Sequence, residues 1–235
     1  MKRLFLFLLV FASPLVQAQN ITATSWLVAD EQGRVIESRN AEEQRGIASI
    51  TKLMTAMVVI DAGQDLDESI KGTTRRDLLQ LMLVKSNNQA ADLLCDNYPT
   101  GRSGCITAMN FKAWNLGLRN THYADPSGLN VMNVSTANEL VKIVMLSSEY
   151  PEIVKASNTA QGKIRKKKTI YAFNNTNPLV ASKDFIVSKT GYIRASGGCI
   201  VMMLDTKIGR RIVVLLNSKT MRTRIPEADR LAQAF

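Results

Sequence analysis

Ser49-Ile50-Thr51-Lys52-Leu53-Met54-Thr55-Ala56-Met57-Val58-Val59-Ile60-Asp61-Ala62 is the stretch on which the reading of this chain turns. Residues 50–62 are mostly apolar and too long for one strand, so they are predicted to form a buried helix. At its start, the i, i+3 spacing brings the Ser49 hydroxyl and the Lys52 amine onto one helical face. A serine in that position often does no more than cap the helix. A lysine among Ile50, Leu53, Met54 and Met57 is harder to set aside. Desolvation favours its neutral amine, which can take a proton from a neighbouring hydroxyl. Alone, S-x-x-K is a common chance match.

Residues 24–29 and 34–38 read as strands joined by the hairpin turn Asp30-Glu31-Gln32-Gly33. Further helices are expected within residues 75–97, bent around Lys85-Ser86-Asn87-Asn88, and over residues 106–116 and 137–147. The last third is β-rich at residues 185–187, 199–204 and 211–216, the last two joined by a turn over 205–210. Residues 226–235 then form a short helix, with Pro226 in the first turn that tolerates it. Strands at both ends and helices between them predict an α/β (α+β) fold. Its antiparallel sheet is built from N- and C-terminal strands, with a helical subdomain packed on it. The chain of 235 residues is 46% hydrophobic and 21% charged, which excludes a disordered chain and supports one sizeable core.

Lys2 and Arg3 precede an unbroken apolar run at residues 4–12, and Val16-Gln17-Ala18 supplies small residues at the two cleavage-site positions. This is the layout of a secretory signal peptide over residues 1–18, cut after Ala18 and leaving one domain over 19–235. Nine apolar residues are too few to span a bilayer, so no integral membrane anchor is expected. Export makes the periplasm the expected location. The formal charge of +10 falls to +8 once Lys2 and Arg3 are removed, which suits an anionic envelope better than nucleic acid. In an oxidising compartment Cys95 and Cys105 are a candidate disulfide, stapling a helix–loop–helix corner, and Cys199 reads as a buried free thiol. The cysteine spacing is not that of a zinc site, and His122 is the only histidine, so no metal is expected.

Two more short motifs follow. Ser86-Asn87-Asn88 lies in a break between helices, where a hydroxyl and a carboxamide two residues apart project together only from an extended or sharply turned backbone. Lys189-Thr190-Gly191 ends a β-like segment. It offers a charge and a hydroxyl to a carboxylate, and a glycine that leaves room for a substrate backbone. Either alone is ordinary loop or strand chemistry. In this order the three motifs match the S-x-x-K, S-D-N and K-T-G signature of serine β-lactamases and penicillin-binding proteins, with S-N-N here in place of S-D-N.

The chain resembles the low-molecular-mass penicillin-binding proteins that act as D-alanyl-D-alanine endopeptidases and carboxypeptidases. The likeness runs from the N-terminal hairpin through Ala48-Ser49-Ile50-Thr51-Lys52-Leu53-Met54-Thr55-Ala56, Asp125-Pro126-Ser127-Gly128-Leu129 and Asn175-Thr176-Asn177 to Lys189-Thr190-Gly191-Tyr192 and the closing strands. The short C-terminus is similar to the single-domain endopeptidase type, sometimes called penicillin-binding protein 7. The resemblance implies a β-lactamase/transpeptidase-like fold and a periplasmic serine peptidase cutting D-alanyl bonds of peptidoglycan stem peptides, with β-lactam antibiotics as covalent inhibitors and no cofactor. It implies Ser49 as nucleophile, Lys52 as general base, and Ser86 as proton relay touching both Lys52 and Lys189. Asn88 would hold the substrate amide, Lys189 and Thr190 its carboxylate, and the N–H groups of Ser49 and Tyr192, beside Gly191, the oxyanion. Two departures are expected to matter: residues 65–74, beside the family's cleft, are short, and Ile193 stands where the family usually has threonine.

A β-lactamase is the nearest alternative, but Glu139, Glu149 and Glu152 do not fall in the E-x-x-L-N pattern of the class A deacylating base. A non-catalytic peptidoglycan-binding protein is a third reading, motivated by the charge and by Lys163-Ile164-Arg165-Lys166-Lys167-Lys168. Such a run is more simply a solvated hairpin or loop. Asp125-Pro126-Ser127-Gly128 is read as a turn that shapes the cleft, His122 as a loop residue, and Arg222 or Arg224 as a candidate to face a substrate carboxylate.

Overall fold

The computed structural model describes residues 21–166 and 169–235. The leader expected at residues 1–18, and Lys167 and Lys168 of the basic run, lie outside the described residues. Strands β1 (Ser25–Asp30) and β2 (Val35–Arg39) form the expected N-terminal hairpin. Strands β9 (Phe185–Ile193), β10 (Gly197–Thr206) and β11 (Gly209–Ser218) form a C-terminal meander, and β1 joins it antiparallel to β11. The sheet order is β2-β1-β11-β10-β9, so the two chain ends build one sheet whose edge strands are β2 and β9. The strands run further than predicted. β10 and β11 keep pairing to Thr206↔Gly209, which leaves a much tighter turn than residues 205–210.

Alternation along the strands gives the sheet two buried faces. Ile212, Val214 and Leu216 of β11 point into the larger core, while Val213 and Leu215 point into the smaller one. The smaller core is closed by helix α7 (Arg224–Ala234), through Ala228, Leu231 and Ala232.

The helical subdomain covers the other face. After a 3-10 turn at Ala48–Ile50 comes α1 (Thr51–Asp61), nearly all of whose residues are buried, as the apolar run demands. α2 (Arg75–Val84) and α3 (Asn88–Asp96) are capped by the side chains of Thr74 and Asn87, and the break between them falls on Ser86. α4 (Gly101–Asn115) begins five residues before the predicted start at 106, so Cys105 lies inside it rather than opening it. Glycines at 101 and 104 weakened that helical signal. Cys95 and Cys105 form a disulfide tying α3 to α4, and Cys199 is a buried free thiol.

α5 (Ala137–Ser147) and α6 (Pro151–Ser157) complete the layer. The basic run lies on a hairpin, β7 (Gln161–Lys166) with β8 (Thr169–Asn174), where Lys163 and Arg165 are exposed. β3 (Arg45–Gly46) pairs with β6 (Val134–Ser135), and residues 65–74 hold a miniature hairpin, β4 (Ser69–Ile70) with β5 (Thr73–Thr74). The buried Arg75 pins it by donating to the Asp65 carbonyl at 2.7 Å and the Glu68 carboxylate at 2.6 Å. No helix among the described residues is long and apolar enough to cross a membrane.

Candidate active site

The site forms where the start of α1, the α2–α3 break and the edge strand β9 converge. Its backbone is strained at two of these places. Ala48 has φ +44° and Ser86 has φ +59°, both in the left-handed region that residues with a Cβ seldom occupy. Such angles persist only where the surroundings impose them, and they cluster at functional sites.

Lys52 is fully buried, and its Nζ donates to Ser49 Oγ at 2.8 Å, to Asn88 Oδ1 at 2.8 Å and to the Ser127 carbonyl. Burial pulls its pKa down from 10.5 to about 7, against the opposing pull of the Asp125 and Asp92 carboxylates. Ser49 Oγ itself reaches the Ser127 carbonyl at 3.4 Å.

On the facing side, the buried Lys189 donates to Ser86 Oγ at 2.8 Å and to the Thr190 carbonyl at 2.9 Å. Burial, with Lys52 and Arg224 nearby, holds its pKa well below the usual lysine value. The hydroxyl of Thr190 donates to that of Thr176 at 2.7 Å. The expected contacts of Ser86 with both lysines therefore reduce to one hydrogen bond, from Lys189. Lys52 spends its three protons on Ser49, Asn88 and Ser127 instead.

Close approach explains two glycines. A Cβ on Gly191 would sit 3.0 Å from both the Ile47 carbonyl oxygen and the Ser49 nitrogen, so β9 lies directly against the segment that carries the nucleophile. At Gly128 (φ +82°) a Cβ would fall 2.0 Å from the Ala48 carbonyl oxygen. The neighbouring Tyr192 is exposed and Ile193 half-buried.

The turn at 125–128 does more than shape a cleft. The Asp125 carboxylate accepts from the N–H of Ser127 and Gly128, each at 2.6 Å, from Ser127 Oγ at 2.9 Å and from the Asn130 N–H. Burial raises this carboxyl's pKa, but those hydrogen bonds outweigh it and the net shift is downward. The turn so held aims the Ser127 carbonyl at Lys52. The buried Asn133 adds a second tie: its Nδ2 donates to Thr51 Oγ1 at 3.1 Å and its Oδ1 accepts from the N–H groups of Ala124 and Asp125. Neither Asn133 nor the Ser127 carbonyl could have been picked out from sequence, since one is a lone polar residue and the other a main-chain atom.

Arg224 is buried behind β9 and donates to the Gly191 carbonyl at 2.8 Å, while Arg222 is exposed. Burial lowers the Arg224 pKa. Lys52, Lys189 and Arg224 thus gather three basic side chains at this corner. Glu139 is committed elsewhere, accepting from the Asn120 N–H at 2.9 Å and from Thr121 Oγ1 at 2.5 Å. His122 pairs with Val134 through the backbone. Among the described residues no group of three or more His, Cys, Asp or Glu is placed to hold a metal ion.

A serine hydroxyl against a buried amine of lowered pKa, facing a second lysine, defines a serine hydrolase. The family model described as D-alanyl-D-alanine carboxypeptidase matches residues 13–73 and 67–220. The D-alanyl-D-alanine endopeptidase of Pseudomonas aeruginosa is 38% identical, over 91% of this chain and 77% of its own. That of Escherichia coli K12 is 35% identical, over 92% and 77%. The Streptomyces K15 DD-transpeptidase superimposes with a TM-score of 0.81 at 26% identity, covering 90% of this chain and 96% of the other. Penicillin-binding protein D2 of Listeria monocytogenes, in its ampicillin-bound form, does so at 0.80 and 26%, with the same coverage. The chain belongs to the D-alanyl-D-alanine carboxypeptidase family of penicillin-binding serine peptidases.

Proposed function

We propose that this protein is a cell-wall endopeptidase. It would hydrolyse D-alanyl bonds at D-Ala–diaminopimelate crosslinks, with terminal D-Ala-D-Ala as the second substrate, through an acyl-enzyme on Ser49. The observation that carries the reading is the 2.8 Å contact between Ser49 Oγ and a Lys52 amine whose pKa lies at about 7. The choice of endopeptidase is supported by the relatives of that name, at 38% and 35% identity, against 28% for an E. coli carboxypeptidase.

Neutral Lys52 takes the Ser49 proton as the oxygen attacks the D-alanyl carbonyl carbon. The oxyanion forms against the N–H groups of Ser49 and Tyr192, each such donor contributing about 2.7–4 kcal/mol to the transition state. Ser86, hydrogen-bonded to Lys189, gives its proton to the departing amine as the C–N bond breaks, and the proton that Lys52 took from Ser49 restores the Ser86 hydroxyl. Asn88 orients the substrate amide, and Lys189 with Thr190 meets the carboxylate on the leaving side. Water then cleaves the ester and returns the proton to Ser49. The leader at residues 1–18 would deliver residues 19–235, as one peptidase domain, to the periplasm, where peptidoglycan is the partner and β-lactams acylate the same serine.

Intact-protein mass after incubation with benzylpenicillin tests the nucleophile. An adduct of the whole drug is expected, and its persistence in Ser49→Ala would overturn the assignment. Digestion of crosslinked muropeptide dimers tests the bond. Monomers are expected, and loss of a single alanine without monomers would make the protein a carboxypeptidase.

A further inference from the structure

The segment Asn175-Thr176-Asn177 lies outside the three motifs, yet it ties the two sides of the site together. The Thr176 N–H donates to the Val84 carbonyl at 3.1 Å, at the end of α2, two residues before Ser86. Asn175 is anchored on the opposite side: its N–H donates to Ala160 O at 2.9 Å and its Nδ2 to Thr159 O at 3.0 Å. Asn177 Nδ2 donates to Ser188 Oγ at 2.8 Å, and Ser188 shares a strand face with Thr190. Between these anchors the Thr176 hydroxyl accepts from Thr190 Oγ1 at 2.7 Å.

We infer that Thr176 is a positioning residue for carboxylate recognition: it holds the Thr190 hydroxyl at rest and supports it once a substrate carboxylate arrives. The inference rests on the proposed role of Thr190 in meeting that carboxylate. A hydroxyl has one proton. In the free enzyme the Thr190 proton points to Thr176. When a carboxylate binds, that proton turns to the anion, and the vacated oxygen accepts from Thr176. The chain Thr176 O–H to Thr190 O–H to carboxylate then ends on a charge, where hydrogen bonds are strongest and polarise one another. Without a hydroxyl at 176, the buried Thr190 oxygen loses this partner when its own proton turns to the substrate.

The test is steady-state hydrolysis of an N-acylated peptide ending in D-Ala-D-Ala, beside the same peptide with a C-terminal carboxamide. Thr176→Val, close in shape to the native residue, should raise KM for the carboxylate peptide about fivefold, the worth of one net hydrogen bond, and leave its kcat near wild type. The carboxamide peptide should be unaffected, and Thr176→Ser should restore the carboxylate KM. Thr190→Val separates the two levels, because it should cut the preference for the carboxylate peptide at least as far as Thr176→Val does, with Lys189 keeping the remainder. If Thr190→Val leaves that preference at its wild-type value, the reading of Thr190 falls and the inference falls with it. If Thr190→Val cuts it while Thr176→Val matches wild type, or slows both peptides equally, the inference alone is overturned.

Discussion

Acylation should titrate with Lys52. A lysine of ordinary pKa, 10.5, is neutral in about three molecules per ten thousand at pH 7, whereas one at about 7 is half neutral. Burial of this side chain therefore raises the supply of base roughly 1,500-fold at neutral pH. Below the pKa the neutral fraction falls towards tenfold per pH unit, so the second-order rate of acylation by a fluorescent penicillin should drop about fiftyfold from pH 7 to pH 5 and level off above pH 8. The Asp125 carboxylate raises the Lys52 pKa, and its own pKa is lowered, so it stays ionised throughout that range. Asp125→Asn should accordingly move the limb to lower pH, and stopped-flow rates at fixed ionic strength between pH 5 and 9 measure both effects. A limb centred above pH 9 in the native protein, or one displaced upwards by Asp125→Asn, would refute the argument that a desolvated Lys52 is the titrating group.

Other perturbations test the scaffold. Gly128→Ala puts a Cβ 2.0 Å from the Ala48 carbonyl oxygen at φ +82°, where only backbone can yield. It should cost about 2 kcal/mol, seen as a fall of roughly 4–8 °C in thermal midpoint, and should slow acylation by displacing Ser49. Cys105→Ser opens the link between α3 and α4, and urea unfolding should show a loss of about 2–3 kcal/mol, matched by reduction of the native protein. Asn133→Ala strips the tie between Thr51 and the 124–125 backbone and leaves two half-buried N–H groups unpaired, so a loss of about 2 kcal/mol is expected in the same assay.

Much of this architecture is local, and local patterns can be read from sequence. An apolar run at residues 50–62 can satisfy its backbone and bury its side chains only as a helix, and Ser49 and Lys52 then meet through helical spacing alone. The bend at Ser86, the N-terminal hairpin and the closing strands follow from similar short-range signals. α4 starts earlier than its pattern predicts because glycine mutes helix propensity, and the disulfide with the packing of α3 fixes that turn instead.

What the tertiary structure alone decided is how the pieces meet. Ser49 and Lys189 are 140 positions apart, and nothing local dictates that β9 should press so close to the Ser49 backbone that a Cβ on Gly191 would lie 3.0 Å from the Ser49 nitrogen. Lys189 takes Ser86, and Lys52 takes Ser49, Asn88 and a main-chain carbonyl, because those are the acceptors that packing places within reach of each amine. The depth of the Lys52 pKa shift, the hold of Asp125 on the 127–130 turn and the Thr176–Thr190 contact arise the same way. Sequence determined which reactive groups the chain carries and which local element presents each one. Burial and long-range closure determined their protonation and their partners, since desolvation and hydrogen-bond geometry depend on everything that packs around a group.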